Sequence, residues 1–331
     1  MLERLFNRIW YRRNHPLSLL LAPLGWLFRL IVWLRRMAYQ LRVLPATQFD
    51  LPVIVVGNIS VGGTGKTPLV AWLARKLQDV GFAPAIVCHG YGGCATDWPQ
   101  QVRPDSDPVV VGEESVLLAR HSGCAVAAGR DRVSVIEALL EHGHCDVILC
   151  DDGLQHLRLR RDIEIAVIDG VRRHGNGRCL PAGPLRESVS RLQTVDVVVA
   201  NEGAARGEFE MKFKPSCLTS VKLPREDHDL DNLQGARVHA VCGIGNPARF
   251  FAMLEKQGAK VIAHEFPDHH HFTLSDISFD DKLPVLMTEK DAIKCERFAT
   301  DAHWYVEMDV EPHHLLFERI LSMLRKVNHG H

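Results

Sequence analysis

Residues 53–68 read V-I-V-V-G-N-I-S-V-G-G-T-G-K-T-P, and no other stretch restricts the possible folds as tightly. The apolar run at 53–56 fits a strand buried on both faces. It enters a glycine-rich turn, and Gly65-Lys66-Thr67 then opens a helix expected over 69–77. This is the layout of a phosphate-binding loop. Backbone N–H groups converge on an anion, a lysine reaches the outer phosphates, and a threonine hydroxyl serves Mg²⁺. The usual spacing places glycine five residues before Gly65, where Ser60 stands, so Gly62 and Gly63 must supply the backbone freedom. The residues expected to line a nucleotide are Gly62, Gly63, Thr64, Gly65, Lys66 and Thr67. An ordinary glycine-rich turn is the plainer alternative. The buried strand before it and the helix after it argue against that.

A second apolar run, D-V-I-L-C at 146–150, ends in Asp151-Asp152-Gly153. In nucleotide-hydrolysing α/β folds, an acidic residue at the end of a neighbouring strand sits beside the phosphate loop and holds Mg²⁺. Adjacent carboxylates repel unless a cation lies close by. Thr67, Asp151 and Asp152 are therefore the expected metal set, either aspartate being open as the direct ligand. A nucleoside triphosphate and Mg²⁺ are the expected ligands of this site.

Strand-like runs at 53–56, 83–88, 124–128, 147–150, 163–168 and 195–200 alternate with helical patterns such as 114–120 and 132–141. Alternation of this kind predicts a P-loop NTPase-like, mainly parallel α/β sheet covered by helices on both faces. The Gly/Pro-rich stretch between Arg172 and Arg191 lacks a helical period and reads as a loop. The polar stretch 202–231 reads as a linker to a smaller α/β unit that begins near Arg237. The expected division is a helical segment at 1–50, a nucleotide-binding core at 51–205 and a C-terminal unit at 206–331.

A net charge of −1 over 331 residues excludes a generally basic nucleic-acid binder. Nine cysteines occur singly with no C-x-x-C pair, which suits a reducing compartment rather than a disulfide framework. No obligatory protein partner is evident. At the N-terminus Leu2, Leu5, Phe6, Ile9 and Trp10 fall at helical spacing with Arg4, Arg8, Arg12 and Arg13 on other faces. The stretch 17–34 is then almost wholly apolar until Arg35-Arg36. As a signal peptide it lacks a convincing small-residue cleavage site. As a spanning helix it is barely long enough and carries Pro23, Gly25 and Arg29. As an amphipathic hairpin in the interface, its leucines and tryptophans enter lipid while its arginines meet phosphates. A soluble helical subdomain is the remaining alternative.

Several further motifs recur in one order: H-G-Y-G-G (89–93), V-G-E-E (111–114), D-D-G-L-Q-H (151–156), L-P-A-G-P-L-R-E (180–187), G-I-G-N-P (243–247), F-P-D-H-H (266–270) and T-E-K-D-A (288–292). With the phosphate loop they make the chain resemble the tetraacyldisaccharide 4′-kinases over nearly its whole length. The resemblance implies transfer of the ATP γ-phosphate to the 4′-hydroxyl of a tetraacylated disaccharide lipid A precursor, at the cytoplasmic face of the inner membrane. It also implies an N-terminal membrane-binding helix, peripheral or a single anchor. Glu113 is then the catalytic base and His269 its partner, with Asp268 orienting the imidazole and Lys66 at the phosphates. His89, Tyr91, Gln155, His156, Arg186 and Glu187 fall on the substrate side. Two positions depart from the family pattern. Glu113 replaces an aspartate, which leaves Glu114 open as the base, and His89 replaces an arginine.

Each of these has a plainer reading. Glu113 suits a helix N-terminus, three successive histidines suit a solvated turn, and Arg130 and Arg132 suit a solvated helix face. Two rival functions also stand. A GTPase or metallochaperone of the same superclass needs an N/T-K-x-D element, and Thr288-Glu289-Lys290-Asp291 sets its lysine and aspartate side by side. A non-catalytic, membrane-tethered nucleotide-binding scaffold would keep the loop and dispense with the base.

Overall fold

The computed structural model describes residues 6, 9–12, 14–223 and 227–328. Its strands are β1 (Val53–Gly57), β2 (Pro84–Cys88), β3 (Gln100–Val102), β4 (Ala125–Ala128), β5 (Val147–Asp151), β6 (Ile163–Asp169), β7 (Val197–Asn201), β8 (Phe209–Ser220), β9 (Asp227–His228), β10 (Arg237–Cys242), β11 (Lys260–Glu265), β12 (Val285–Thr288) and β13 (His303–Pro312). They form one sheet in the order β11-β10-β12-β13-β8-β7-β6-β1-β5-β2-β4-β3, with β9 paired to β8. The pairings are parallel except β3 with β4, β8 with β13 and β8 with β9.

β1, β2 and β5 are buried along their whole length, as strands covered on both faces must be. Period-2 alternation divides β1 between two cores. Ile54 and Val56 pack with Leu69, Leu73 and Leu77 of the Lys66–Asp79 helix. Val53 and Val55 face Val135 and Ile136 of the Arg132–His142 helix on the other side. In the C-terminal part, Phe250 and Leu254 of the Pro247–Lys256 helix cover one face of the sheet, and Phe272, Ile277 and Ala292 cover the other.

Within the stretch expected to be a linker, Phe209–Ser220 and Asp227–His228 are instead strands of the sheet. β8 joins β7 in parallel and β13 in antiparallel register, and so binds the two α/β parts into one sheet. Its composition hides this. Lys212 and Lys214 alternate with Met211 and Phe213, a half-buried strand by period though polar by count. The helix after β1 also begins earlier than expected, at Lys66, because Gly65 at φ 91° already turns the chain.

The N-terminal part folds into the Pro16–Leu20 and Ala22–Gln40 helices. Ala22 and Gly25 are buried against the protein, whereas Leu20, Leu24, Trp26, Leu27, Ile31 and Leu34 lie exposed on the other face. The expectation that the tryptophans of this segment enter lipid fits the exposed Trp26 and Trp33 but not Trp10. Trp10 donates from Nε1 to Pro181 O at 3.0 Å, and Ile9 is buried. Arg35 and Arg36 likewise turn inward, to Gln155 O and Thr194 Oγ1. Leu2, Arg4, Leu5, Arg8 and Arg13 lie outside the described residues. Among the described residues no helix is long and apolar enough to cross a membrane.

Candidate active site

The register of the central strands builds the phosphate end. Val56 lies opposite Asp151 in the parallel β1–β5 pair, so both strands end together. The turn after β1 is braced from within and from outside. Asn58 Nδ2 donates to Gly62 O at 3.2 Å, Val61 N donates to Pro184 O at 2.8 Å, and Arg186 N donates to Ile59 O at 2.7 Å. Gly65 cannot carry a side chain, since its left-handed φ is strained for L residues and a Cβ would lie 2.8 Å from Phe213. Asn201 Nδ2 reaches Thr64 O at 3.3 Å, so β7 also steadies the loop.

Thr67 Oγ1 donates to Asp151 Oδ2 at 2.9 Å. Lys66 Nζ stands 3.5 Å from Asp152 Oδ1, and Arg186 Nη1 donates to Asp152 Oδ2 at 3.1 Å. The two aspartates thus sit in different environments. Burial raises Asp151 to about 7, with Glu114 and Asp152 adding to the rise and Lys66 and Thr67 opposing it. Burial would raise Asp152 too, but Lys66 and Arg186 outweigh it and bring the carboxyl below its ordinary value. Asp151 Oδ1 is buried without a hydrogen-bond partner. An orphaned, under-neutralised carboxylate oxygen beside a threonine hydroxyl is a donor set that fits a hard divalent cation.

A second cluster lies at the start of the Glu113–Ser122 helix. Glu113 is its first residue and is buried, and Oε1 accepts from His269 Nδ1 at 2.5 Å. Burial opposes the ionised form of Glu113, yet the His269 hydrogen bond and the Lys290 charge prevail and bring it to about 2. The same hydrogen bond raises His269 above its ordinary value. The other oxygen, Oε2, faces Gly92, where a Cβ would approach to 3.1 Å. Glu114 is more exposed and pairs with Lys290 Nζ at 3.0 Å. Asp268 stands 3.9 Å from His269 Nε2, too far for a hydrogen bond. Its Oδ1 instead accepts from the backbone N of His269 at 3.0 Å. Asp152 and His269 both adopt left-handed backbone, at φ 49° and 58°, strain of the kind that collects at functional sites.

His89 stacks on Tyr91 at 4.0 Å between ring centroids, and its Nδ1 is buried without a partner. Burial, then the Arg132 charge, lowers its pKa. Gln155 Nε2 donates to Asn58 O at 2.9 Å and to Glu187 Oε1 at 2.8 Å, and Glu187 pairs with Arg191 Nε at 3.3 Å. Both residues therefore brace the strand ends. His156 lies 3.4 Å from Asp131, its pKa lowered to about 4 by burial and by Arg132. Beside Arg186 opens a cleft of about 380 Å³, walled by Phe28, Val32, Leu157 and Leu180 with Arg35 and Arg36 at its edge.

The sequence reading missed two residues. Arg132, taken for a solvated position, is 2% exposed and donates to Gly129 O at 2.8 Å and Asp151 O at 3.1 Å. Helical periodicity does not reveal that a first-turn arginine folds back under the strand ends. Lys290 meets Glu113, Glu114 and Asp268, and its only signal was the T-E-K-D-A motif.

A family model described as Tetraacyldisaccharide-1-P 4'-kinase matches residues 17–325. The chain belongs to this family. It is 50% identical over 322 residues to the tetraacyldisaccharide 4'-kinase of Nitrosococcus oceani, covering 97% of this chain and 95% of that one. It is 47% identical over 327 residues to the enzyme of that name in Methylobacillus flagellatus, covering 98% and 97%. Among solved structures, "apo" form LpxK from Aquifex aeolicus in complex with ATP superposes with a TM-score of 0.79 at 28% identity. The match covers 94% of this chain and 99% of that one. The P-loop NTPase-like, mostly parallel sheet matches that structure, and membership of the kinase family makes this chain an ATP-dependent phosphotransferase.

Proposed function

We propose that this member of the family transfers the γ-phosphate of ATP to the 4′-hydroxyl of a tetraacylated disaccharide lipid A precursor, with Glu113 and His269 taking up the hydroxyl proton. The observation that carries the proposal is the 2.5 Å Glu113–His269 contact, set beside a braced phosphate loop. Glu114, next in sequence to that contact, is close enough to raise Asp151 electrostatically. That proximity supports one shared site for the acceptor and phosphate groups.

Phosphoryl transfer asks mainly for positioning and charge neutralisation. Lys66 and the amides of 62–67 bind the phosphates, with Arg186 and Lys66 fixing Asp152. Thr67, Asp151 and Asp152 would hold Mg²⁺, which when bound supplies neutralisation of phosphate charge. The dyad behaves as one base. Its first proton is taken up with an affinity above that of free histidine, and its second only near pH 2. Glu113 Oε2, left open by Gly92, is the oxygen that meets the hydroxyl.

The cleft walled by Phe28, Val32, Leu157 and Leu180 leads an acylated sugar toward Arg186. The exposed apolar face of the Ala22–Gln40 helix lies on the membrane surface, at the cytoplasmic leaflet where ATP is available. The helical segment 1–50, core 51–205 and unit 206–331 act as anchor, phosphate site and partner of the base. No obligatory protein partner or nucleic acid is required.

The test is label transfer from γ-labelled ATP to a disaccharide lipid acceptor by wild type, Glu113→Gln and Glu114→Gln. Acceptor-dependent transfer, lost on Glu113→Gln and retained on Glu114→Gln, is expected. ATP turnover without acceptor, or preference for GTP, would point to a GTPase-like role. Nucleotide binding with no transfer would point to a scaffold.

A further inference from the structure

Lys290 is the second residue of the Glu289–Cys295 helix, in the C-terminal part of the chain. Its ammonium lies 3.0 Å from Glu114 Oε1, 3.7 Å from Glu113 Oε1 and 3.7 Å from Asp268 Oδ1. The first two carboxylates start the Glu113–Ser122 helix. The third precedes His269 by one residue on a loop some 150 positions further along the chain, the dyad partners being 156 apart. Four titratable groups thus face this one cation: Glu113, Glu114, Asp268 and His269. Without it, three carboxylates would converge with only an imidazole to offset them, and their repulsion would push the Asp268–His269 loop outward.

We infer that Lys290 is a positioning residue for the transfer reaction, holding Glu113 and the His269 loop in register so that the proton-accepting pair forms only when the C-terminal part is seated on the core. This rests on the reading of Glu113–His269 as the proton acceptor. Two further charge pairs dock the same segment on the Glu113–Ser122 helix. His121 Nε2 meets Glu289 Oε1 at 2.5 Å, and Arg120 Nη2 donates to Glu296 Oε2 at 3.0 Å. Those pairs secure the seam away from the dyad, whereas Lys290 touches the dyad itself. A compact ammonium with three donors suits acceptors arriving from three directions. Arginine retains the charge but imposes a planar fork. The Lys290 charge also favours the deprotonated pair, opposing protonation of both Glu113 and His269.

The experiment compares the full-length wild type with Lys290→Met, Lys290→Arg, Glu289→Gln and Glu113→Gln, reading label transfer to the lipid acceptor across pH together with ATP binding. Lys290→Met is expected to lower kcat by about 10²-fold, the scale of a misplaced catalytic group, with KM for ATP unchanged. The acid limb of its rate should move to higher pH, because the charge that kept the pair deprotonated is gone. Lys290→Arg should recover much of kcat and return the limb toward wild type. Glu289→Gln should leave the limb in place. The inference is overturned if Lys290→Met keeps wild-type kcat and limb, or if methionine and arginine lose activity and ATP binding alike. Glu113→Gln separates the two levels. If it transfers phosphate normally, the acceptor reading itself fails. If it is inactive while Lys290→Met is normal, only the role of Lys290 falls.

Discussion

The phosphate loop and the Glu113–His269 pair lie within one site but are made in opposite ways. Lys66 and Thr67 open the helix after the β1 turn, Asp151 and Asp152 stand at the end of the adjacent β5, and the β1–β5 register together with the braced turn brings them together. Glu113 opens a helix and His269 sits on a distant loop, and they meet in a partly buried contact with the Lys290 ammonium beside Glu113. The first cluster is a property of the core and exists whenever the core is folded. The second needs the C-terminal part seated on the core, so under the proposed reading proton removal depends on that packing while phosphate binding does not.

The sharpest way to break this contrast is Lys66→Ala. Removing a preorganised cation from the phosphates should cost on the order of 10³-fold in rate, with the Glu113–His269 contact intact. A variant retaining most of its turnover in steady-state label transfer would show that the loop is not the phosphate site. Glu113→Gln should cost about 10²-fold or more and act on the pH profile, leaving ATP affinity as it was. Wild-type kcat/KM should rise with pH through a value above that of free histidine, since the pair must lose its first proton before it can accept another. In Glu113→Gln the carboxylate that holds that proton is gone, and the limb should move to lower pH. A wild-type rate flat from mildly acidic to alkaline pH would contradict the pairing.

The two aspartates sharpen the loop side. Asp151 keeps a buried oxygen with no partner, whereas Asp152 is held by Lys66 and Arg186. Asp151→Asn should therefore weaken Mg²⁺ affinity by roughly 10–100-fold. Asp152→Asn should chiefly raise KM for ATP, because it frees two cations that it had oriented. Magnesium titrations giving equal shifts for both would remove the division of labour.

What could be read in the sequence follows the same split. The loop was legible because strand, turn and helix are consecutive and the acidic pair ends a recognisable apolar run. β8 was not, because Lys212 and Lys214 disguise a period-2 pattern whose inward half is the buried Met211 and the half-buried Phe213. Glu113 and His269 entered only through the resemblance, since no local pattern tells a dyad partner from a helix-terminal carboxylate 156 positions away. Arg132 and Lys290 escaped for a related reason. A long cation on an amphipathic helix reads as solvated, and whether it folds inward depends on carbonyls and carboxylates supplied by other elements of the chain.

His89 gives the smallest expected effect and the finest comparison. It stands where the resemblance implies an arginine, within electrostatic reach of Asp152, Arg130 and Arg132. Arg132 disfavours its charge and Asp152 favours it. Burial tips the balance to the neutral ring, stacked on Tyr91 with Nδ1 unpartnered. His89→Arg would install a permanent cation that can reach a phosphate or Asp152, while losing the stacking contact and adding repulsion from Arg132. A partly exposed ion pair contributes about 0.2–1 kcal/mol, so KM for ATP should fall by at most about fivefold with kcat nearly unchanged. A large loss of kcat with unchanged KM would mean that the His89–Tyr91 stack supports Glu113 through Gly92 rather than the phosphates. That result would move His89 from the loop side of the comparison to the dyad side.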